Sequence, residues 1–139
     1  MPAFTDVEGV RLRFLLLDTD SVPDALIEPQ LDDAHTVLLA ALDPSFVDAD
    51  PAPDALVMGA TLLAGARVLH ALASYEAQHQ RAQRLGSQVL QPAGRVETMR
   101  EAARLADDEA WLILAPYLRP RATRPPLNAS DSKPVLGGA

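Results

Sequence analysis

Residues 55–72 read ALVMGATLLAGARVLHAL, and the fold turns on how this stretch is read. Wound as a helix, it is apolar on nearly every side. A helix of that kind is the central one, buried by its neighbours. Pro53 and Asp54 supply a start, and the pattern continues to about Arg84, roughly 30 residues or ~45 Å. Residues 75–84, YEAQHQRAQR, turn polar and are expected to project past the core. The uncharged part, residues 55–66, has the length of a core helix and is too short to cross a bilayer. Gly59 and Gly65 inside it read as positions that ease packing.

The flanks supply the neighbours. Thr5-Asp6-Val7-Glu8 has the form of a capping box, with Thr5 as the cap. Val7, Val10, Phe14 and Leu15 then share one helical face. Asp18-Thr19-Asp20-Ser21 ends that helix, and Ser21 to Asp24 opens another turn that tolerates Pro23. Glu28-Pro29 marks a fresh start, because proline suits a first turn and disfavours helix in the residue before it. Asp32 and Asp33 would then meet the positive end of the helix dipole. Leu31, Ala34, Val37, Leu38 and Ala41 make the apolar stripe, which stops at Asp43-Pro44. Residues 43–54, DPSFVDADPAPD, are read as loop.

On the other side, residues 85–94 (LGSQVLQPAG) read as an exposed loop with room for a short strand at Val89 and Leu90. A last helix runs from about Arg95 to Ala115. Val96, Met99, Ala103, Ala106, Ala110, Ile113 and Tyr117 recur in steps of three and four, a narrow seam whose alanines permit close approach. Glu97, Arg100, Glu101, Arg104, Asp107 and Asp108 lie off the seam and pair along the helix. Asp107-Asp108-Glu109 therefore reads as a charged face, and Trp111 as core or interface. Pro116 stops the helix. The fold class is all-α, a small bundle of about four helices over residues 1–118, followed by an extended arm over residues 119–139.

Composition narrows the function. The 139 residues fit one domain, and the absence of cysteine excludes disulfides and thiolate metal sites. The opening MPAFTDVEGVRLRF is too polar for a signal peptide, so a soluble protein of cytoplasmic origin is expected. Net charge is −7, unevenly spread. Asp18 to Asp54 holds ten acids and no Lys or Arg, whereas Arg81 to Arg124 holds eight arginines against five acids. That pattern does not give the basic face of a general nucleic-acid binder. It suits a molecule that meets other proteins, or copies of itself, acidic side to basic side.

Catalytic signatures are missing. Glu76-Ala77-Gln78-His79 is an E-x-x-H, which places carboxylate and imidazole on one helical face. Di-metal bundles need two such motifs and further carboxylates, and only one is present. His70 stands two and a half turns earlier, on the opposite side. No G-x-S-x-G, H-E-x-x-H or phosphate-binding glycine loop occurs. No catalytic residue, cofactor or metal is expected, and a binding or structural role is favoured over an enzyme.

The order of elements then takes on a likeness. TDVEGVRLRF, the acidic SVPDALIEPQLDDAHTVLLAAL, the aspartate–proline loop, the apolar central helix and the closing EAWLILAPYLRP together resemble the head–tail connector, or adaptor, proteins of long-tailed bacteriophages and of gene transfer agents. The resemblance covers about residues 5–119. It implies a structural virion protein assembled in the bacterial cytoplasm, with twelve copies in a ring beneath the portal. The ring would continue the channel through which DNA passes without sequence-specific binding, and would offer its other face to a stopper or tail-completion protein. No membrane is involved.

By position, the resemblance makes the arm a portal-reaching segment, with Arg119, Arg121, Arg124, Pro125, Pro126, Leu127 and Lys133 as its candidate contacts. Asp18, Asp20, Asp24, Asp32 and Asp33 are candidates to face the channel or a neighbouring protomer. A different class stays open beside this one: a stand-alone regulatory or chaperone-like helical module that docks through its tail.

Overall fold

The apolar run becomes the axis of the molecule. The computed structural model describes residues 4–86, 94–120, 122 and 124–127, without the side chains of 80–86. In it α4 spans Asp54–Gly86 and is flanked by α1 (Val7–Phe14), α2 (Asp24–Ala41) and α5 (Gly94–Leu114). A one-turn α3 (Pro44–Val47) follows α2, and a 3-10 turn, Ala115–Tyr117, follows α5. Among the described residues there is no strand, only one isolated antiparallel bridge between Leu42 and Leu118. The fold is all-α.

Every residue of α4 from 59 to 68 is buried. Leu56, Leu62, Leu63 and Val68 meet Ile27 and Leu38 of α2, Val10 of α1, and Ala110, Trp111 and Leu114 of α5 in one core. Each such aliphatic side chain contributes about 1.5–3 kcal/mol by leaving water. Asp54–His79 is long and apolar enough to span a membrane on length and composition, beyond what the uncharged run alone indicated. Its own bundle covers it, with 61% of that window buried inside the protein.

The two glycines fix how close the neighbours come. A Cβ on Gly59 would lie 2.5 Å from Cγ of Leu114, and one on Gly65 would lie 1.8 Å from Cε2 of Phe14. Gly59 thus sets the approach of α5, and Gly65 the approach of α1. Neither site has room for a methyl group.

Several local expectations change. The cap of α1 is Asp6, whose carboxylate accepts from the Gly9 N–H at 2.8 Å. Thr5 is drawn inward instead, with its hydroxyl 2.8 Å from that of Thr61 on α4. Leu15 leaves the apolar face: it ends α1 in the left-handed region at φ 57° and is 76% exposed.

Pro29 does not start a helix. α2 runs unbroken from Asp24 through Pro29. The missing N–H leaves the Ala25 carbonyl without its helical donor, but Ala25 and Pro29 are both exposed, so water can take it. Asp32 and Asp33 are consequently mid-helix, and Asp24 is the acid in the first turn.

The 43–54 connection contains the α3 turn, capped by Asp43, which accepts from the Ser45 N–H at 2.9 Å. Phe46 of α3 packs edge-on against Tyr117, ring centres 5.0 Å apart. α4 and α5 extend to Gly86 and Gly94, so the 85–94 loop shortens, and the strand expected at Val89 and Leu90 lies outside the described residues.

On α5 the alanine seam holds, with Val96, Ala103, Ala106 and Ala110 buried. Its buried face is wider than the seam, adding Trp111, Leu114 and Asp107. The reading of Asp107-Asp108-Glu109 as one charged face is corrected at its first member: Asp107 is 1% exposed.

Candidate functional site

Two buried arginines organise the segments that are not helix. Arg11 of α1 is satisfied by three acceptors: the Leu16 carbonyl at 2.8 Å, the Val22 carbonyl at 2.7 Å and the Asp24 carboxylate at 2.6 Å. It thereby pins the 15–23 connection across the end of its own helix. Arg67 is the charge that interrupts the apolar run of α4. Its Nη1 donates to the Leu127 carbonyl at 2.8 Å, sixty residues on. Burial works against its charge and pushes its pKa down, while the fields of Asp107 and Asp33 oppose that shift.

The segment that reaches Arg67 is the first part of the arm, whose described residues (119, 120, 122 and 124–127) lie as a strap along the bundle. Its entry is fixed by the Leu42–Leu118 bridge, where the Asp43 N–H donates to the Tyr117 carbonyl and the Arg119 N–H to the Ala41 carbonyl, both at 2.9 Å. Arg119 Nε also donates to the Leu42 carbonyl at 3.3 Å. Arg124 then straddles two acids of α5, with Nη2 at 2.5 Å from both Asp107 Oδ2 and Asp108 Oδ1. Ala122 and Pro125 sit against Val37, Ala40 and Ala41 of α2, across a shallow cavity of about 200 Å³. Charge-assisted bonds of this kind are roughly twice as strong as neutral ones.

Beneath the strap the polar groups are incompletely matched. Arg67 Nε, Asp107 Oδ1 and Trp111 Nε1 are buried and have no hydrogen-bond partner among the described residues. Buried polar atoms are nearly always paired, so these two donors and one acceptor are groups that the fold leaves less than fully satisfied.

The candidates read from sequence are distributed unevenly. Arg119 and Arg124 bind this chain's own α2 and α5; Pro125 and Leu127 are half-buried, and Pro126 is exposed. Arg121 and Lys133 lie outside the described residues. The acids do not converge. Asp18 folds its own turn, accepting from the Ser21 hydroxyl at 2.8 Å and the Asp20 N–H at 2.9 Å, and the Ser21 bond leads the effects that hold its carboxyl below the usual range. Asp24 is taken by Arg11, while Asp20, Asp32 and Asp33 are exposed.

Comparison with known proteins adds no relative: no family model, curated protein or solved structure matches the chain.

The E-x-x-H pair forms no ligand set on this surface. His79 is exposed and stacked on Tyr75 with ring centres 6.1 Å apart, and Glu76 is half-buried. Among the described residues no three His, Asp or Glu side chains come together as a metal site would require. A cleft of about 230 Å³ opens between the start of α1 and α2, with His35 beside Phe4 on its wall. Its Thr5 hydroxyl is already engaged by Thr61.

Sequence reasoning passed over Arg67 and Asp107. A signal existed for the first, since a lone arginine inside an apolar helix has to find an acceptor. None existed for Asp107, which looks like its exposed neighbours.

Proposed function

We propose that the chain is a structural adaptor: the protomer of a ring, in twelve copies, between the portal and the stopper or tail-completion proteins of a tailed phage or gene transfer agent particle. DNA would pass through the ring without sequence-specific contact. The observation that carries this reading is the exposed apolar set at separate places on so small a domain. Leu15 (76%) and Leu17 (62%) stand at the end of α1, while Leu105 (54%) and Leu112 (76%) stand seven residues apart on one face of α5. A ring protomer needs two unlike faces that fit each other and a further surface for what lies above and below. The strap adds an arm whose cations, Arg119 and Arg124, sit at the surface of the bundle. The order of elements from α1 to Pro116, including the proline-rich connection after α2, supports the resemblance to the adaptor proteins.

The test is electron microscopy of the purified protein, alone and mixed with a portal protein from the same genome. Twelve-fold rings seated on the portal are expected. A protein that stays monomeric and separate from the portal removes the adaptor reading.

A further inference from the structure

The groove under the strap is a peptide-binding site, and we infer that in an assembly it receives residues 120–127 of a second copy of this chain. The inference deepens the adaptor reading and rests on it only for the reason that copies are brought together.

The groove is already shaped and charged for that segment. Asp107 and Asp108 of α5 take the Arg124 guanidinium, Arg67 of α4 takes the Leu127 carbonyl, and the end of α2 receives Ala122 and Pro125. The groove also cannot stand empty at low cost. Asp107 is 1% exposed and Arg67 is 5% exposed, and each already has one polar atom without a partner. Withdrawing the strap would strip Asp107 of Arg124 and Arg67 of Leu127, leaving two buried charges with no compensation from the arm. An arm that leaves its own groove therefore requires a replacement, and where each arm moves to a neighbouring copy every groove is refilled by a segment with the right residues at the right spacing.

The strap is built to be exchanged. Beyond Arg119, among the described residues, its backbone is held to the helices only through the Leu127 carbonyl, because the Ala122 N–H turns back to the Arg119 carbonyl. Few backbone bonds and the gap of about 200 Å³ beneath it place it at the low-stability end of the molecule. Pro120 directly follows the bridge, and Pro125 and Pro126 keep the segment extended wherever it docks. The contacts are the same within a chain and between chains. Effective concentration then decides which forms, and a ring supplies neighbours at high effective concentration.

Two full-length variants test this without any portal protein. Arg124→Asp spoils the arm and keeps the groove; Asp108→Arg spoils the groove and keeps the arm. Both positions are partly exposed, so the helical spectrum of each is expected to match wild type. A mixture restores the wild-type pairing only between different chains. Sedimentation velocity should show each variant monomeric alone and the equimolar mixture forming a one-to-one dimer. That association should exceed either self-association by at least about tenfold, and added salt should weaken it. A mixture that sediments as monomer, with both helical spectra intact, overturns the exchange and leaves the adaptor reading standing. A ring that fails to form on the portal while the mixture dimerises has the opposite meaning.

Discussion

The α1–α2 junction and the strap solve the same problem with different thoroughness. Each uses a buried guanidinium to hold irregular backbone against the bundle. Arg11 finds three acceptors within thirteen residues, and Arg11 is absent from the unmatched buried groups. Arg67 reaches across sixty residues for one carbonyl and keeps Nε without a partner among the described residues. The local junction is closed and self-contained. The long-range one depends on a segment that is lightly attached, and this is what separates a structural clamp from a place where the molecule can change partners.

The sharpest way to break the comparison is to remove Arg11. Arg11→Ala strips donors from the Leu16 and Val22 carbonyls and leaves Asp24 without its cation. Hydrogen bonds from a charged group are worth about 1.5–3 kcal/mol each, so a loss of about 3 kcal/mol is expected in urea unfolding. A loss below about 1 kcal/mol would mean that the junction is no more committed than the strap.

Asp107→Ala probes the other side. It leaves Arg67 buried without its strongest compensating field and takes from Arg124 one of its two acids, the Asp108 bond remaining, for a loss of about 2 kcal/mol. The double variant Arg67→Met with Asp107→Leu should be less destabilised than the sum of the two single changes, because replacing both members of a buried pair removes the desolvation cost with the attraction. Additive losses would show that the two residues do not act as a pair.

The smallest effect has the opposite sign. Leu15 pays for a left-handed backbone while leaving its side chain mostly in water. Leu15→Gly removes that strain at the C-cap and should raise stability by about 1 kcal/mol or less. A loss on this substitution would mean that the exposed leucine packs in solution, and would place a contact surface at the end of α1.

Much of the bundle was legible because its signals are local. The apolar run of α4, the alanine seam of α5 and the stop at Pro116 each depend on residues within a few turns, and all three stand. Errors arose where two local signals competed. Thr5 and Asp6 both suit an N-cap, and the attraction of Thr5 to Thr61 on α4 settled which was used. Pro29 resembles a helix start until its exposure shows that the lost hydrogen bond can be made by water. The site was less legible. Asp107 is coupled by charge to Arg67, forty residues before it, and by a hydrogen bond to Arg124, seventeen residues after it; no pattern within α5 distinguishes it from Asp108.

The bridge between Leu42 and Leu118 carries a mechanical consequence. Its two hydrogen bonds join the chain just after α2 to the chain just after the 3-10 turn. Once the Arg124 and Leu127 contacts have yielded, tension on the arm meets this junction before it reaches the end of α5. The load is shared with the C-terminal end of α2, so the last helix is shielded from being unwound residue by residue from its free end. A pull on the arm is borne by the bundle at two points of the chain separated by most of its length.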